Sequence, residues 1–296
     1  MKILNRYKNG NYDVTIFDDG TKIRNNNLSF FDAEFPENID LKITNYCNKS
    51  CPMCHEGSNQ EGKHSDLLNT KFINTLVSGT ELAIGGGMVT SHPDLVPFLH
   101  LLKAKGIIAN ITIHQEEFMD NLNLIEKLVT EKLIYGLGVS FHHTDTKFLK
   151  EIKKYPNAVI HLINGIHQED TFKYLANNSL KILILGYKEL RRGNLLYQKQ
   201  KEVIDKNKIW LKNNLKEYLD KFKVISFDNL AIKQLEVQKL LTKSKWDEFY
   251  MGDDGEHTMY IDLVEKQFAQ SSTNMNRYDI LDDIRDMFKK VKEGKK

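Results

Sequence analysis

The sequence predicts an α/β protein, in the form of a partial (β/α)6 TIM-like barrel with an N-terminal β-hairpin and a C-terminal α+β extension. Short β-branched runs alternate along the chain with helical patterns, which is typical of βαβ units around a parallel sheet. The helical patterns are long enough to serve as the crossovers that parallel strands require. With 296 residues, 41% of them hydrophobic, the chain has enough apolar side chains for a sizeable core.

Six β-branched runs are the predicted barrel strands. They are residues 39–44, 81–84, 107–113, 135–140, 158–163 and 180–185. Five helical patterns lie between them, at residues 67–77, 95–105, 122–133, 147–153 and 169–176. In the first pattern Phe72, Ile73 and Leu76 form one apolar face, as a core-facing helix requires. We expect a site at the carboxyl ends of the strands, where barrels and open parallel sheets bind their ligands.

The segments on either side of the barrel divide the chain into three regions. Residues 1–38 form an N-terminal ribbon, in which the turn residues Asp18-Asp19-Gly20 between two strands are a strong hairpin signal. Residues 39–190 are the barrel core, and residues 191–296 are an extension that packs on it. The elements predicted in the extension are a helix at 199–219, a strand at 224–227, a helix at 230–246, a strand at 259–264 and a last helix from residue 280.

Composition excludes several classes of partner. A net charge of +2, from 42 basic and 40 acidic side chains, indicates neither a nucleic-acid nor a membrane partner. No apolar stretch approaches the ~20 residues of a membrane span, and the N-terminus has no apolar stretch of signal-peptide length. The cysteines are all clustered, which favours a reducing compartment where thiols stay available for metal. We therefore predict a cytoplasmic protein.

The three cysteines, Cys47, Cys51 and Cys54, have a C-x3-C-x2-C spacing. Three thiolates on a [4Fe-4S] cluster leave one of its irons open, whereas four would saturate it. Three other uses stay open on the residues alone. The run from Cys51 to His55 fits a c-type haem attachment motif, a zinc site would add His55 or His64 to the cysteines, and a thioredoxin-like C-x-x-C would leave Cys47 without a role.

The stretch from Thr44 to Cys54 resembles the signature loop of the radical S-adenosylmethionine superfamily. The resemblance implies that the three cysteines hold a [4Fe-4S] cluster whose open iron binds S-adenosylmethionine. It also implies that one electron, from a flavodoxin- or ferredoxin-type donor, cleaves this cofactor to a 5′-deoxyadenosyl radical. Met53, between the second and third cysteines, is counted with the cofactor-binding residues.

A second resemblance follows the second predicted strand, at Gly85-Gly86-Gly87-Met88-Val89. Glycines let the backbone approach a ligand closely, and their amides can meet a carboxylate. In the superfamily this turn usually reads Gly-Gly-Glu-Pro and contacts the methionyl end of the cofactor. Here Met88 stands in place of the Glu and Val89 in place of the Pro. The carboxylate expected to hold the cofactor's amino group is therefore missing from this turn.

The ends of the other strands supply the remaining candidates. By the same resemblance, Ser140, Asn164 and Gly186 are predicted cofactor contacts. The predicted substrate contacts, also at strand ends, are His114, His142, Tyr187 and Asp228.

These features together predict a radical S-adenosylmethionine enzyme that abstracts hydrogen from a substrate. The C-terminal third contains no cysteine, so no auxiliary cluster is expected there. A peptide or protein is the favoured substrate because the N-terminal ribbon and the C-terminal strand offer edges for an extended chain. Two alternatives stay open, a small metabolite or nucleotide as substrate, and a non-catalytic iron-sulfur or zinc-binding module.

Overall fold

The computed structural model describes residues 1–294, so the last two residues of the predicted 191–296 extension lie outside the described residues. The chain begins with a three-stranded antiparallel sheet of β1 (Ile3–Asn9), β2 (Tyr12–Phe17) and β3 (Lys22–Asn25), in that order. The predicted hairpin is confirmed as β2 and β3. Gly10, with φ of +59°, lies in the turn that joins β1 to β2 and has the left-handed conformation that favours glycine.

The next part of the chain alternates strands with helices, as the sequence predicts. Its elements are β4 (Asn38–Thr44), β5 (Glu81–Gly86), α1 (Leu95–Ala104), β6 (Ile108–His114), α2 (Gln115–Asp120), α3 (Leu122–Thr130), β7 (Gly136–Ser140), α4 (Thr146–Ile152), β8 (Ala158–Ile163), α5 (Glu169–Leu175) and β9 (Lys181–Leu185). All six predicted strands are therefore present.

The C-terminal part adds both helices and strands. Its elements are α6 (Arg192–Tyr218), β10 (Val224–Phe227), α7 (Asn229–Leu235), α8 (Lys243–Phe249), β11 (Thr258–Asp262), β12 (Gln267–Ala269), β13 (Tyr278–Asp279) and α9 (Ile284–Glu293). Helix α6 is kinked at Gln200, whose φ and ψ of −131° and 28° are not helical. Among the described residues, no helix combines the length and apolarity that crossing a bilayer requires.

One large sheet organises the molecule, with the strand order β10-β9-β8-β7-β6-β5-β4-β11-β12-β13. The eight strands from β10 to β11 are parallel to their neighbours, and β12 and β13 continue the sheet antiparallel. The parallel part thus has two strands, β10 and β11, beyond the six predicted for the barrel core. The large sheet and the helices around it confirm the predicted α/β fold class.

One face of the sheet carries a cavity of about 590 Å³, and residues from every strand between β4 and β10 line it. In β8, Ala158, Ile160 and Leu162 are buried on the outer face, while Val159 and His161 line the cavity. This alternation follows from the two-residue period of a strand. Because the eight strands from β10 to β11 are parallel, their carboxyl ends all lie at the same edge of the sheet.

Two helix predictions are wrong, each for a local reason. Residues 67–77 form a turn and a short 3₁₀ segment (Lys71–Thr75) because Asn69 and Thr70 bond to Asp66 through their side chains, which competes with helix formation. Phe72 and Ile73 are still buried, as predicted.

The predicted helix at 230–246 is interrupted between α7 and α8. Glu236 takes a left-handed conformation, with φ of 52°, at the end of α7, and Thr242 caps the start of α8 by accepting a hydrogen bond from the Lys245 amide. The apolar periodicity of residues 230–246 does not reveal that one helix ends at Glu236 and another begins after Thr242.

A buried charge network joins the N-terminal sheet to the large sheet. Glu37, just before β4, is fully buried and accepts hydrogen bonds from Arg24 at 2.7 Å and from the Tyr12 hydroxyl. Lys22 lies 3.2 Å from Glu37 and 2.6 Å from Glu81 of β5. Burial disfavours a charged Glu37, but Lys22 and Arg24 more than offset it and hold the pKa of this carboxyl below its usual range.

We expect Lys22→Met to lower the free energy of unfolding by about 2–4 kcal/mol, because it leaves two carboxylates short of a partner in a buried site. Lys71→Met is the matched control, because Lys71 pairs with Asp282 at 2.9 Å on the surface and its side chain is 74% exposed against 10% for Lys22. The control is expected to change stability by less than about 1 kcal/mol. Equal losses in urea unfolding would contradict the structural role of the network.

Candidate active site

The cysteine loop follows β4 and is docked on the glycine turn that follows β5. The Gly87 amide donates to the Thr44 carbonyl at 2.7 Å, and the Met88 amide donates to the Tyr46 carbonyl at 2.6 Å. A β-carbon at Gly87 would lie 2.0 Å from the Tyr46 carbonyl oxygen. Glycine at position 87 is therefore a steric requirement of this contact.

Other elements hold the loop from further sides. The Arg192 guanidinium, at the start of α6, donates to the Cys51 carbonyl at 3.1 Å and to the Ser58 carbonyl at 2.8 Å. Lys49 pairs with Glu116 of α2 at 3.0 Å. The loop is thus fixed by residues from both the predicted core and the predicted C-terminal extension.

The three thiols are free, half-buried and line one cavity of about 290 Å³. Burial raises the pKa of the Cys51 thiol to about 11, and the neighbouring Cys54 and Cys47 add to this. The Cys51 thiol is therefore protonated at neutral pH in the metal-free protein. A metal that binds here must displace protons, as thiolate coordination generally does.

Ten of the residues predicted for the site line this cavity. They are Cys47, Cys51, Met53, Cys54, Gly85, Gly86, Gly87, His114, Ser140 and His142. They come from the cysteine loop, the glycine turn and the ends of β6 and β7, so the carboxyl ends of four neighbouring parallel strands converge on the thiols.

The other four predicted residues pack around α7. Asp228 caps this helix, accepting hydrogen bonds from the amides of Ala231 at 2.7 Å and Gly186 at 2.9 Å. Asn164 donates to Gln234 at 2.9 Å, and the Tyr187 hydroxyl donates to the Gly193 carbonyl at 2.7 Å. In this structure the side chains of Asp228, Asn164 and Tyr187 make hydrogen bonds within the protein.

The rings of His114 and His142 lie against each other beside Cys51, with their planes tilted by 40°. Their ring centroids are 3.9 Å apart, and His142 Nε2 is 3.3 Å from Cys51 Sγ. His114 also caps α2, because its Nδ1 accepts a hydrogen bond from the Glu116 amide at 3.1 Å. Burial, with a smaller contribution from the neighbouring His142, lowers the pKa of His114 to about 4, so the ring is neutral at pH 7.

A buried ion cluster next to the thiols was not predicted. Lys42 is only 2% exposed and pairs with Glu56 at 2.8 Å and Asp262 at 2.9 Å. Although burial opposes ionisation, His55 and Lys42 hold the pKa of Glu56 well below its usual range. Glu56 belongs to the segment after Cys54, so the cluster ties this segment to β4 and β11. The available sequence signal was a lysine inside a predicted strand of the parallel sheet.

The cysteine cavity and the larger cavity inside the sheet meet at Asp40, Ala83, Thr112 and His161, which line both. Enclosure by the protein raises the pKa of the Asp40 carboxyl to about 6; Lys188 lowers it, and the charges of Asp254 and Asp228 raise it. Burial lowers the pKa of His161 to about 4. The cavity that holds the thiols therefore adjoins the cavity lined by the strands of the sheet.

Solved structures share this fold. No protein-family model and no curated protein matches the sequence. The chain is similar to Streptococcus suis SuiB bound to its precursor peptide SuiA, with a TM-score of 0.55 and 16% identity over 87% of this chain and 65% of that one. For SuiB bound to S-adenosylmethionine the TM-score is 0.54, with 14% identity over 83% and 64% of the two chains.

A further structure of SuiB gives a TM-score of 0.59 and 13% identity over 97% of this chain and 87% of that one. In the first two structures the chain spans just under two thirds of the length of SuiB. At these identities the comparison establishes that the two proteins have the same fold.

We expect Gly87→Ala to displace the cysteine loop, because its β-carbon would overlap the Tyr46 carbonyl. Iron bound after anaerobic reconstitution should fall several-fold. Gly85→Ala is the matched control, since a β-carbon there has no heavy atom within 4 Å, and it should retain parental iron. Equal iron in both variants would show that the loop does not need this contact.

We expect Asp40→Asn to stabilise the protein at neutral pH. The folded-state pKa of Asp40 is raised, so its ionised form opposes folding above about pH 6 and its neutral form does not below about pH 4. After discounting for its solvent exposure, the gain at pH 7.5 is ~1 kcal/mol. Thermal unfolding of both proteins at pH 4 and pH 7.5 measures it, and a pH-independent difference would contradict this assignment.

Proposed function

We propose that this protein is a radical S-adenosylmethionine enzyme that acts on a peptide or protein. The observation that carries the proposal is the convergence of a three-cysteine loop and a glycine turn on one cavity at the carboxyl ends of parallel strands. The likeness of the fold to that of SuiB, which has been solved with S-adenosylmethionine and with a precursor peptide, supports it.

The residues present fit a [4Fe-4S] cluster held by Cys47, Cys51 and Cys54. Three thiols lie in one loop and line the same cavity, which is the donor set that leaves one iron open. The zinc and haem alternatives give no role to the glycine turn beside the thiols.

We propose that residues 39–190 form a partial barrel core. Residues 1–38 form a ribbon on one side of it in sequence, and residues 191–296 form the extension on the other.

When bound and reduced, the cluster would supply the electron that cleaves S-adenosylmethionine to a radical able to abstract hydrogen. The chain's own residues hold the reactants in place. Gly85 and Gly86 line the cavity without side chains and so let a ligand approach the backbone closely. Met53 and Ser140 offer an apolar and a hydroxyl contact in the same cavity. Met88 contributes its backbone amide to the contact with the cysteine loop. This contact does not require the glutamate side chain that the superfamily usually has at this position.

A peptide substrate is supported by surfaces near the N-terminal sheet. Strand β3 is an edge of that sheet and exposes Ile23. Beside it lies a cleft of about 1070 Å³ lined in part by the exposed side chains of Phe30, Phe249 and Met251. An edge strand next to an apolar cleft is a surface that an extended peptide can join.

A small-molecule substrate is the second candidate. It is favoured by the place where the two cavities adjoin, because Asp40 and His161 line both of them and can meet a compact polar group. Both candidates require the same cofactors and a flavodoxin- or ferredoxin-type electron donor, and a reducing compartment keeps the thiols available. Transfer of deuterium from labelled candidate substrates into 5′-deoxyadenosine distinguishes them.

Protein reconstituted anaerobically with iron and sulfide, and reduced with dithionite, is expected to convert S-adenosylmethionine to 5′-deoxyadenosine. Cys51→Ala should abolish this product, because the two remaining thiolates cannot hold the cluster. Chromatographic measurement of 5′-deoxyadenosine checks both proteins. An intact cluster with no cysteine-dependent cleavage would favour a non-catalytic iron-sulfur module instead.

A further inference from the structure

His114 carries a buried hydrogen-bond donor whose purpose the proposed function does not yet explain. Its Nδ1 accepts the Glu116 amide hydrogen, so the proton of the neutral ring is on Nε2. That Nε2 is buried and has no hydrogen-bond partner among residues 1–294. An unpaired buried N–H is destabilising, so this donor is expected to gain an acceptor when a ligand binds.

The groups around this donor are Cys51 and His142. One nitrogen of each histidine and the Cys51 sulfur lie within 4.8 Å of one another. Three ligand atoms at this separation could bind a single metal ion. A metal on His114 Nε2 would, however, require the proton to move to Nδ1, where it would face the Glu116 amide hydrogen. The capping bond therefore disfavours His114 as a metal ligand and keeps it a donor.

We propose that His114 and His142 donate ring N–H hydrogen bonds to the sulfur atoms on the Cys51 side of the bound cluster and thereby raise its reduction potential. This inference rests on the proposed function. Reduction adds negative charge to the cluster and its thiolates, and hydrogen bonds to sulfur stabilise the more negative state. The two histidines act through the cluster and are positioning residues.

The test is a potentiometric titration of the reconstituted full chain, without S-adenosylmethionine, followed by electron paramagnetic resonance. In His142→Ala the ratio of reduced to oxidised cluster at a fixed potential should fall about tenfold, which is a downward shift of about 59 mV for a one-electron couple. His142→Gln retains an N–H donor and should remain near the parent.

Two further variants separate this effect from damage to the fold. His114→Asn removes the Nε2 donor but keeps a side-chain oxygen to cap α2, so it should lower the potential without loss of folding. His143→Ala is the matched control, because His143 is the exposed neighbour of His142, and it should leave the potential unchanged.

Parental potentials in both His142→Ala and His114→Asn would overturn the inference and leave the proposed function standing. If a variant fails to load a cluster, pulsed electron-nuclear double resonance on the parent decides the matter. Exchangeable protons coupled to the cluster, with ¹⁵N coupling from labelled histidine, would support the inference, and their absence would overturn it. A parent protein that binds no cluster at all would overturn the proposed function together with this inference.

Discussion

The whole candidate site depends on a contact between two backbones. The Tyr46 carbonyl of the cysteine loop meets the Met88 amide of the glycine turn at 2.6 Å, and only a residue without a side chain fits at Gly87 between them. This contact sets the loop at the ends of β4 and β5, where its thiols line a cavity with the strand-end residues. It also explains how Met88 keeps a structural role in the turn, since that role uses its amide.

The C-terminal extension completes the site. Strand β11 pairs with β4 and brings Asp262 to the buried Lys42, while α6 brings Arg192 to the Cys51 carbonyl. Removal of one partner from a buried ion cluster leaves an uncompensated charge, which is strongly destabilising. The cysteine loop is therefore coupled through Glu56 to a part of the chain more than 200 residues away. The stability of the extension and the geometry of the thiols are linked.

Local sequence patterns predicted most of the strands, and ten of the residues they singled out line the cysteine cavity. The six barrel strands are continuous β-branched runs, and the cysteines and glycines are close in sequence to the strands that carry them. The pairing of β11 with β4 was not predictable, because it joins residues far apart and periodicity carries no pairing information. The same holds for the contact between His114 and His142 and for the Lys42 cluster.

The errors have local causes. Side-chain bonds from Asn69 and Thr70 to Asp66 replaced a predicted helix by a turn, and Glu236 ended another early. Strand-end position alone did not separate His114, which lines the cysteine cavity, from Asn164, which binds Gln234 beside α7.

We propose that Cys47, Cys51 and Cys54 hold a four-iron cluster with one iron open to S-adenosylmethionine. Mössbauer spectroscopy of protein reconstituted with ⁵⁷Fe is the sharpest test of this proposal. We expect a [4Fe-4S] spectrum in which one iron in four changes its parameters when S-adenosylmethionine is added. Mononuclear iron, or a four-iron spectrum that S-adenosylmethionine leaves unchanged, would contradict it.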